Sequence, residues 1–564
     1  MNAEPPPAPS PNRAPTRPSW FERLFPEGPP PRAGDCPATR RMLPIAALAV
    51  LIGILAGFVA RALLALIGLF THLFFYRRVA FDLASPAGHS LGAWVVAVPV
   101  VGALLIGLMA RYGSERIRGH GIPEALEAIL IRGSRVEPKL ALLKPLSAAI
   151  SIGSGGPFGA EGPIIMTGGA FGSLVAQAFR LTAAERKTLL VAGAAAGMTA
   201  TFGSPLAAIL LAVELLLFEL KPRSFVPVAI ACAGAMATRQ ALMDAGPLFH
   251  LAPHGDRFSA AALLACVVVG LGAGALAALL TGSVYAFEDL FEKHLRRIHW
   301  MWWPALAGVV IGVGGLVCPK ALGVGYESIG DLLAGRMTVG AAVPLLAVKW
   351  LIWSFALGSG TSGGVLAPLL MMGAGLGALE APWLPHVGPG FWPLVSMAAT
   401  LGGTMRSPLT AIAFAVETTH DWDAVLPLAV AVSVAHAFTV LTLRRSILTE
   451  KVSRRGFHIS REYALDPLEV LFVREVMRAA VAPLTPAIAP ALCAHPDETL
   501  RSATHRMAVG GVTELPVLAR SGSAELVGVI SLVDMLVARR RHVEEETRRE
   551  RVLSVGRFFP QRPA

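Results

Sequence analysis

The 564-residue chain is 54% hydrophobic and 15% charged, with a mean hydropathy of +0.59, against about 25% charged residues in an ordinary soluble domain. That balance excludes a soluble globular enzyme. Much of the net charge of +11 lies outside the apolar runs, in Arg444, Arg445, Lys451, Arg454 and Arg455 and in the Arg539–His542 run, so it reads as membrane topology under the positive-inside rule and not as nucleic-acid binding. The five cysteines are scattered, with no Cys-x-x-Cys pair and no histidine cluster, and argue for neither a disulfide framework nor a zinc site.

In chain order, residues 1–42 carry proline runs such as Pro5-Pro6-Pro7 and Pro29-Pro30-Pro31, a composition that cannot bury enough apolar surface to fold, and are expected to form a disordered cytoplasmic tail. Leu43–Phe75 is a candidate span; lying behind 42 soluble residues, it is no cleavable signal peptide. Uncharged apolar runs follow at Leu91–Ala110, Thr188–Val213, Phe258–Phe287, Trp350–Leu379 and Ala424–Leu443. Each reaches the ~20 residues that cross ~30 Å of hydrocarbon. The chain therefore reads as a polytopic membrane protein, with a membrane domain over 43–448, a linker over 449–472, a small soluble module over 473–540 and a charged tail over 541–564.

A repeat runs through the membrane domain. Gly153-Ser154-Gly155, Pro163, Met166, Gly168 and Gly172 recur 205 positions later as Gly358-Ser359-Gly360, Pro368, Met371, Gly373 and Gly377. Ser204-Pro205-Leu206-x-Ala208-Ile209-x-x-Ala212-Val213-Glu214 returns 203 positions later as the segment ending in Glu417, and Gly119-x-Gly121 is echoed by Gly323-x-Gly325. The order and near-constant displacement imply a duplication, with halves of about 43–245 and 258–448. Duplicated halves are the mark of transporter folds that hold substrate near the midplane on interrupted helices.

An ion cannot cross hydrocarbon bare. For an anion, helix N-termini can replace the lost water with unpaired N–H groups and about half a positive charge. Three stretches have that chemistry: Gly119-His120-Gly121-Ile122-Pro123-Glu124, Gly159-Ala160-Glu161-Gly162-Pro163 and Gly364-Val365-Leu366-Ala367-Pro368. Each ends with a proline suited to the first turn of a helix. Glu161 stands out, because a carboxylate among positive helix ends sits where a permeating anion would and can yield when protonated. Glu214 and Glu417, being repeat-related, suggest a structural role at helix ends, with Glu214 also weighed for a proton path.

Together the three stretches resemble the signature of the CLC chloride channel and transporter family: Gly-Ser-Gly-Ile-Pro-Glu, Gly-Arg/Lys-Glu-Gly-Pro and Gly-x-Phe-x-Pro, in this order. Gly193-Ala194-Ala195-Ala196-Gly197 through Ser204-Pro205-Leu206 to Glu214 looks like another family segment. The resemblance implies an all-α polytopic fold of two inverted, homologous halves with interrupted helices, a homodimer with one pore per subunit, and anion binding by the three stretches with Glu161 as the gate. It also marks departures. His120 replaces the usual Ser, Ala160 a base and Leu366 the Phe; Leu448 stands for the inner-gate Tyr, and Leu215 for the inner glutamate of proton-coupled members. The fluoride-exporting branch typically ends its second motif in Thr, where this chain keeps Pro163. Downstream, Val473–Met477, Asp497–Leu500, Thr513–Leu518 and Leu526–Leu536 read as helix, strand, strand, helix and resemble one α/β CBS module. Its Ser531-x-x-Asp534 has the spacing of ribose binding, so an adenine nucleotide is a candidate ligand; no other cofactor and no metal is implied.

The expectation is a dimeric, non-enzymatic permeation protein for chloride or a similar monovalent anion. It would reside in a bacterial inner membrane with both termini cytoplasmic. The departures at Leu215 and Leu448 favour passive, channel-like flux; proton/chloride exchange is the alternative, and a non-transporting membrane sensor is a third reading.

Overall fold

A computed structural model describes residues 41–243, 246–251, 254, 258–456, 468, 471–479, 492–519 and 526–547. The proline-rich tail up to residue 40, most of the linker beyond residue 456 and the charged tail from residue 548 lie outside the described residues.

Among the described residues, seven helical stretches are long and apolar enough to cross a membrane: Met42–Tyr76, Gly92–Tyr112, Pro222–Leu242, Ala260–His294, Trp300–Val317, Val339–Gly358 and Val425–Arg454. Leu51, Phe58, Leu264, Val313 and Leu441 on them are exposed, as side chains solvated by lipid would be. Two of the uncharged runs are not single spans. Thr188–Val213 breaks at Gly203, which takes a left-handed φ of +69°, and at Ser204, between helices Ala183–Phe202 and Pro205–Leu211. Trp350–Leu379 breaks between Val339–Gly358 and Leu366–Glu380. Length and hydropathy predict crossing in both cases, but glycine and proline stop the helix within the apolar run, and the freed backbone groups are buried in protein.

The repeat in sequence is a repeat in structure. Glu161–Gln177 packs on Ala183–Phe202, and Leu366–Glu380 packs on Phe391–Met405 in the same way. The recurring glycines carry these contacts. A Cβ on Gly168 would strike the carbonyl of Gly193, and one on Gly193 the carbonyl of Gly168; in the second half, a Cβ on Gly377 would strike the carbonyl of Trp392. Helices packed backbone to backbone in lipid require small residues at these positions.

The repeated Ser-Pro-Leu…Glu segments exchange caps between halves. Glu214 accepts hydrogen bonds from the N–H groups of Leu409 (3.1 Å) and Thr410 (2.8 Å) and from the Thr410 hydroxyl (2.7 Å), at the start of Pro408–Thr419. Glu417 accepts from Leu206 (2.9 Å) and Ala207 (2.8 Å) at the start of Pro205–Leu211. Each carboxylate satisfies N–H groups that the opening turn of the other half leaves without a partner.

The C-terminal module holds a three-stranded antiparallel sheet, β1 (Arg478–Ala479), β2 (Glu514–Leu518) and β3 (Leu526–Ser531), in the order β1-β3-β2. Helices Leu500–Gly510 and Leu532–Thr547 contribute Ala503, Met507 and Met535 to a core shared with Leu515, Val517 and Ile530. Asp497-Glu498-Thr499 is a turn opening a helix at Leu500, where a strand is expected from sequence. Leu526–Leu536 divides into a strand and a helix at Ser531, whose hydroxyl accepts from the Asp534 N–H at 3.3 Å.

The reciprocal caps predict that Glu214→Ala and Glu417→Ala each lower stability by about 0.5–2 kcal/mol, the range for losing an N-terminal cap. Thermal melting of the detergent-solubilised protein checks this; unchanged midpoints in both variants would remove the capping role.

Candidate anion and proton site

The extended stretches of the two halves meet and pair. Gly119 N–H donates to Thr361 carbonyl at 3.0 Å and Gly363 N–H to Gly119 carbonyl at 3.5 Å, while Gly159 and Gly364 exchange hydrogen bonds of 3.3 and 3.0 Å. Gly121 has a φ of +90°, and a Cβ there would strike the Gly162 carbonyl; a Cβ on Gly162 would strike the carbonyl of His120. Only glycine allows main chains to approach this closely. Helices Ile122–Leu130, Glu161–Gln177 and Leu366–Glu380 start from this crossing.

All the residues singled out in the three stretches are buried, from Gly119, His120, Gly121, Ile122 and Pro123 through Gly159, Ala160, Glu161, Gly162 and Pro163 to Gly364, Val365, Leu366 and Ala367. The structure thus brings the three motifs into one place. Glu214 is not part of it, being engaged as a cap, and Ser531 and Asp534 belong to the C-terminal module. Leu448 is fully buried in the first turn of Ile447–Arg454.

Glu161 opens its helix and is wholly inaccessible. Its Oε1 accepts a hydrogen bond from the Tyr326 hydroxyl at 3.3 Å, while Oε2 has no hydrogen-bond partner and lies against Gly159 and Gly364. The main-chain N–H groups of Glu161 and Ala367 face the carboxylate, and Lys349 supplies a buried cation that acts on it. A negative group is thus held by two helix starts, where the partial charge of each helix is positive. One of its oxygens remains able to take a proton.

Sequence reasoning misses two lysines and a tyrosine. Lys144 donates to the carbonyls of Ile117 and Gly119, both at 2.8 Å. Its repeat partner Lys349 donates to Ala321 (3.0 Å) and Gly323 (2.8 Å). Both are completely buried and fasten the two Gly-x-Gly turns; their displacement of 205 positions is the signal that could have found them. Tyr326 follows Gly325, where the first half has Ile122, so the repeat gives no warning of its hydroxyl. Its ring rests edge-on against Phe202 and Phe249.

His120 is 2% exposed and its Nδ1 has no hydrogen-bond partner, so that nitrogen is not tied to a backbone carbonyl. Beside it, Glu124 accepts from Gly121 N–H at 2.7 Å and pairs with Lys451 (3.5 Å) and Arg455 (3.4 Å). These pairs join Ile122–Leu130 to the C-terminal end of Ile447–Arg454. They border a cavity of about 640 Å³ that runs from Arg454 and Arg455 to Met166 and Gly360. Tyr326 lines a second cavity of about 70 Å³ with Glu327 and Ser85, which shares no lining residue with the first.

Residues 101–440 match the family model described as voltage gated chloride channel. The chain belongs to this CLC family. A relative from Klebsiella pneumoniae, an H(+)/Cl(-) exchange transporter ClcA, is 30% identical over 433 residues, covering 70% of this chain and 87% of the relative. ClcA of Salmonella paratyphi B is 28% identical over 368 residues, 61% of this chain and 76% of the relative. The fold is shared with a slow cyanobacterial Cl-/H+ antiporter (TM-score 0.65, 20% identity, 73% of this chain and 97% of that one). It is also shared with a CLC-type fluoride/proton antiporter (TM-score 0.60, 18% identity, 73% and 98%). The CLC fold of two homologous halves with interrupted helices therefore stands as expected from sequence.

Two substitutions probe the carboxylate. Glu161→Gln should leave anion flux in place and remove most of its pH dependence; an unaltered pH profile would take Glu161 out of gating. Tyr326→Phe deletes only the hydroxyl, and since a hydrogen bond to a charged group contributes about 1.5–3 kcal/mol, flux at fixed pH should rise by about tenfold or more. Flux equal to the parent would mean that the hydroxyl does not restrain Glu161.

Proposed function

We propose that the chain is a proton/anion antiporter that exchanges chloride, or a similar monovalent anion, against protons. The observation that carries this reading is the Glu161 carboxylate: buried where two helix starts meet, restrained on one oxygen by Tyr326 and free on the other. Ionised, it competes with an anion for the same N–H groups; protonated, it loses the charge that holds it there. One side chain then serves both ions. The relatives named as H(+)/Cl(-) exchange transporters support the choice of exchange over the passive flux expected from Leu215 and Leu448. Both leucines are buried, so exchange in this chain needs a proton route that does not use those positions.

In this reading His120, with its unpartnered nitrogen, contributes a donor to the anion where the family signature has a serine hydroxyl. The face bearing Arg444, Arg445, Lys451, Arg454, Arg455 and the module is cytoplasmic, in keeping with the positive-inside rule, and the membrane is a bacterial inner membrane in which the protein is a homodimer. The module is CBS-like, one per chain, and pairs across the dimer. An adenine nucleotide has less support, because Asp534 already accepts hydrogen bonds from Ser531 N–H (2.9 Å), Ser531 hydroxyl (2.7 Å) and Arg478 (3.1 Å). Burial would raise the Asp534 pKa, but these donors outweigh it and hold the carboxyl below its ordinary range.

Reconstituted vesicles test the exchange. A chloride gradient imposed without a pH gradient should drive protons uphill, and the reversal potential should depend on both ions. A reversal potential that follows chloride alone would return the chain to a passive pathway.

A further inference from the structure

The exchange reading leaves a gap, because Leu215 is an apolar, buried residue where proton-coupled relatives are expected to carry an acid. Protons from the large cavity must reach Glu161 by some other group. Six glutamates line that cavity, and their pairing separates them. Glu115 pairs with Arg118 (3.2 Å) and Glu137 with Arg116 (2.6 Å). Glu124 is held by Lys451, Arg455 and Gly121 N–H, and Glu127 by Arg132 and Arg455. Glu292 is exposed on the last turn of its helix. Glu288 differs from all five: it is half-buried and lines the cavity. Among the described residues it makes no hydrogen bond or ion pair, though the charges of Lys451, Arg454, Arg455 and Glu292 act on it. The neighbouring Asp289 takes Arg454 (2.5 Å) and Lys293 (2.9 Å) for itself.

We propose that Glu288 is the proton-accepting residue of this cavity, standing in for the acid missing at Leu215; the proposal rests on the exchange reading. A carboxylate locked between guanidinium groups is a poor proton carrier, since its partners stabilise the charged form and lose their own pairing when it is neutralised. Glu288 has no such partner, yet lines the cavity. Its placement is firm: a Cβ on Gly358 would come within 2.8 Å of the Glu288 nitrogen, so its main chain abuts the end of Val339–Gly358, from which the chain turns toward Leu366. The same cavity reaches Met166, five residues beyond Glu161 on one helix, or about 7.5 Å along its axis. In each cycle the Glu288 carboxylate takes one proton from cavity water and passes it through water to the Glu161 carboxylate. Glu288 returns to its charged form and Glu161 becomes neutral, so charge and protons balance.

The full-length protein in vesicles tests this, with chloride efflux and chloride-driven proton uptake recorded on the same preparation. Glu288→Gln should retain chloride efflux while proton uptake per chloride falls on the order of tenfold or more, as expected when a proton relay loses its ionisable group. Parental proton uptake per chloride in Glu288→Gln would overturn the proposal and leave exchange standing. Absence of proton uptake in the parent would overturn the exchange reading and this proposal with it. If Glu288→Gln loses both fluxes, Glu288→Asp decides: recovery of both in the parental ratio supports the relay, and continued loss of both overturns it in favour of a purely structural role.

Discussion

A desolvated anion needs donors, and in the proposed site the donors come from main chain. Everything else in the membrane domain follows from placing helix starts in the interior of a hydrocarbon-solvated protein. That demand is satisfied where the Gly119–Gly121, Gly159–Gly162 and Gly360–Gly364 stretches cross, pairing Gly159 with Gly364 and Gly119 with Thr361 and Gly363. Side chains larger than hydrogen are excluded at the crossing because carbonyl groups occupy their space. On the exchange reading, Glu161 enters as an anion supplied by the protein itself, and its charge makes the site responsive to protons.

Duplication serves this geometry by letting each half complete the other. Lys144 and Lys349 fasten equivalent turns with two hydrogen bonds each. Glu214 and Glu417 cap helices that belong to the opposite half. The exchanged caps resist separation of the halves, because breaking one leaves the first N–H groups of the opposite half's helix without their carboxylate. Asymmetry reaches the functional centre: Glu161 and Tyr326 have no acid or phenol at their repeat-related positions, Leu366 and Ile122.

Much of this was legible in the sequence. Charge depletion gave the membrane class, the recurrence of glycines and Ser-Pro-Leu…Glu gave the duplication, and the Gly-Pro frame around Glu161 gave the centre of the site. The uncharged runs 188–213 and 350–379 were misread as continuous spans because hydropathy averages over glycine and proline, the residues that interrupt them. Lys144 and Lys349 were invisible to a search for apolar repeats, since a lysine whose ammonium is satisfied by carbonyls leaves no hydrophobic trace. Tyr326 escaped for the opposite reason, as an aromatic residue in an apolar setting resembles core. Glu288 needed the ion pairs of its neighbours, which no spacing in the sequence reveals.

On the exchange reading, the Glu161 carboxylate and the transported anion occupy the same ground. Crystals of Glu161→Ala grown in bromide test it most directly, through the anomalous scattering of the halide. A bromide peak in the space vacated by the carboxylate, beside Gly159 and Gly364 and within reach of the Ala367 N–H, is the predicted result. Anomalous density elsewhere in the membrane domain with that space empty would contradict the account.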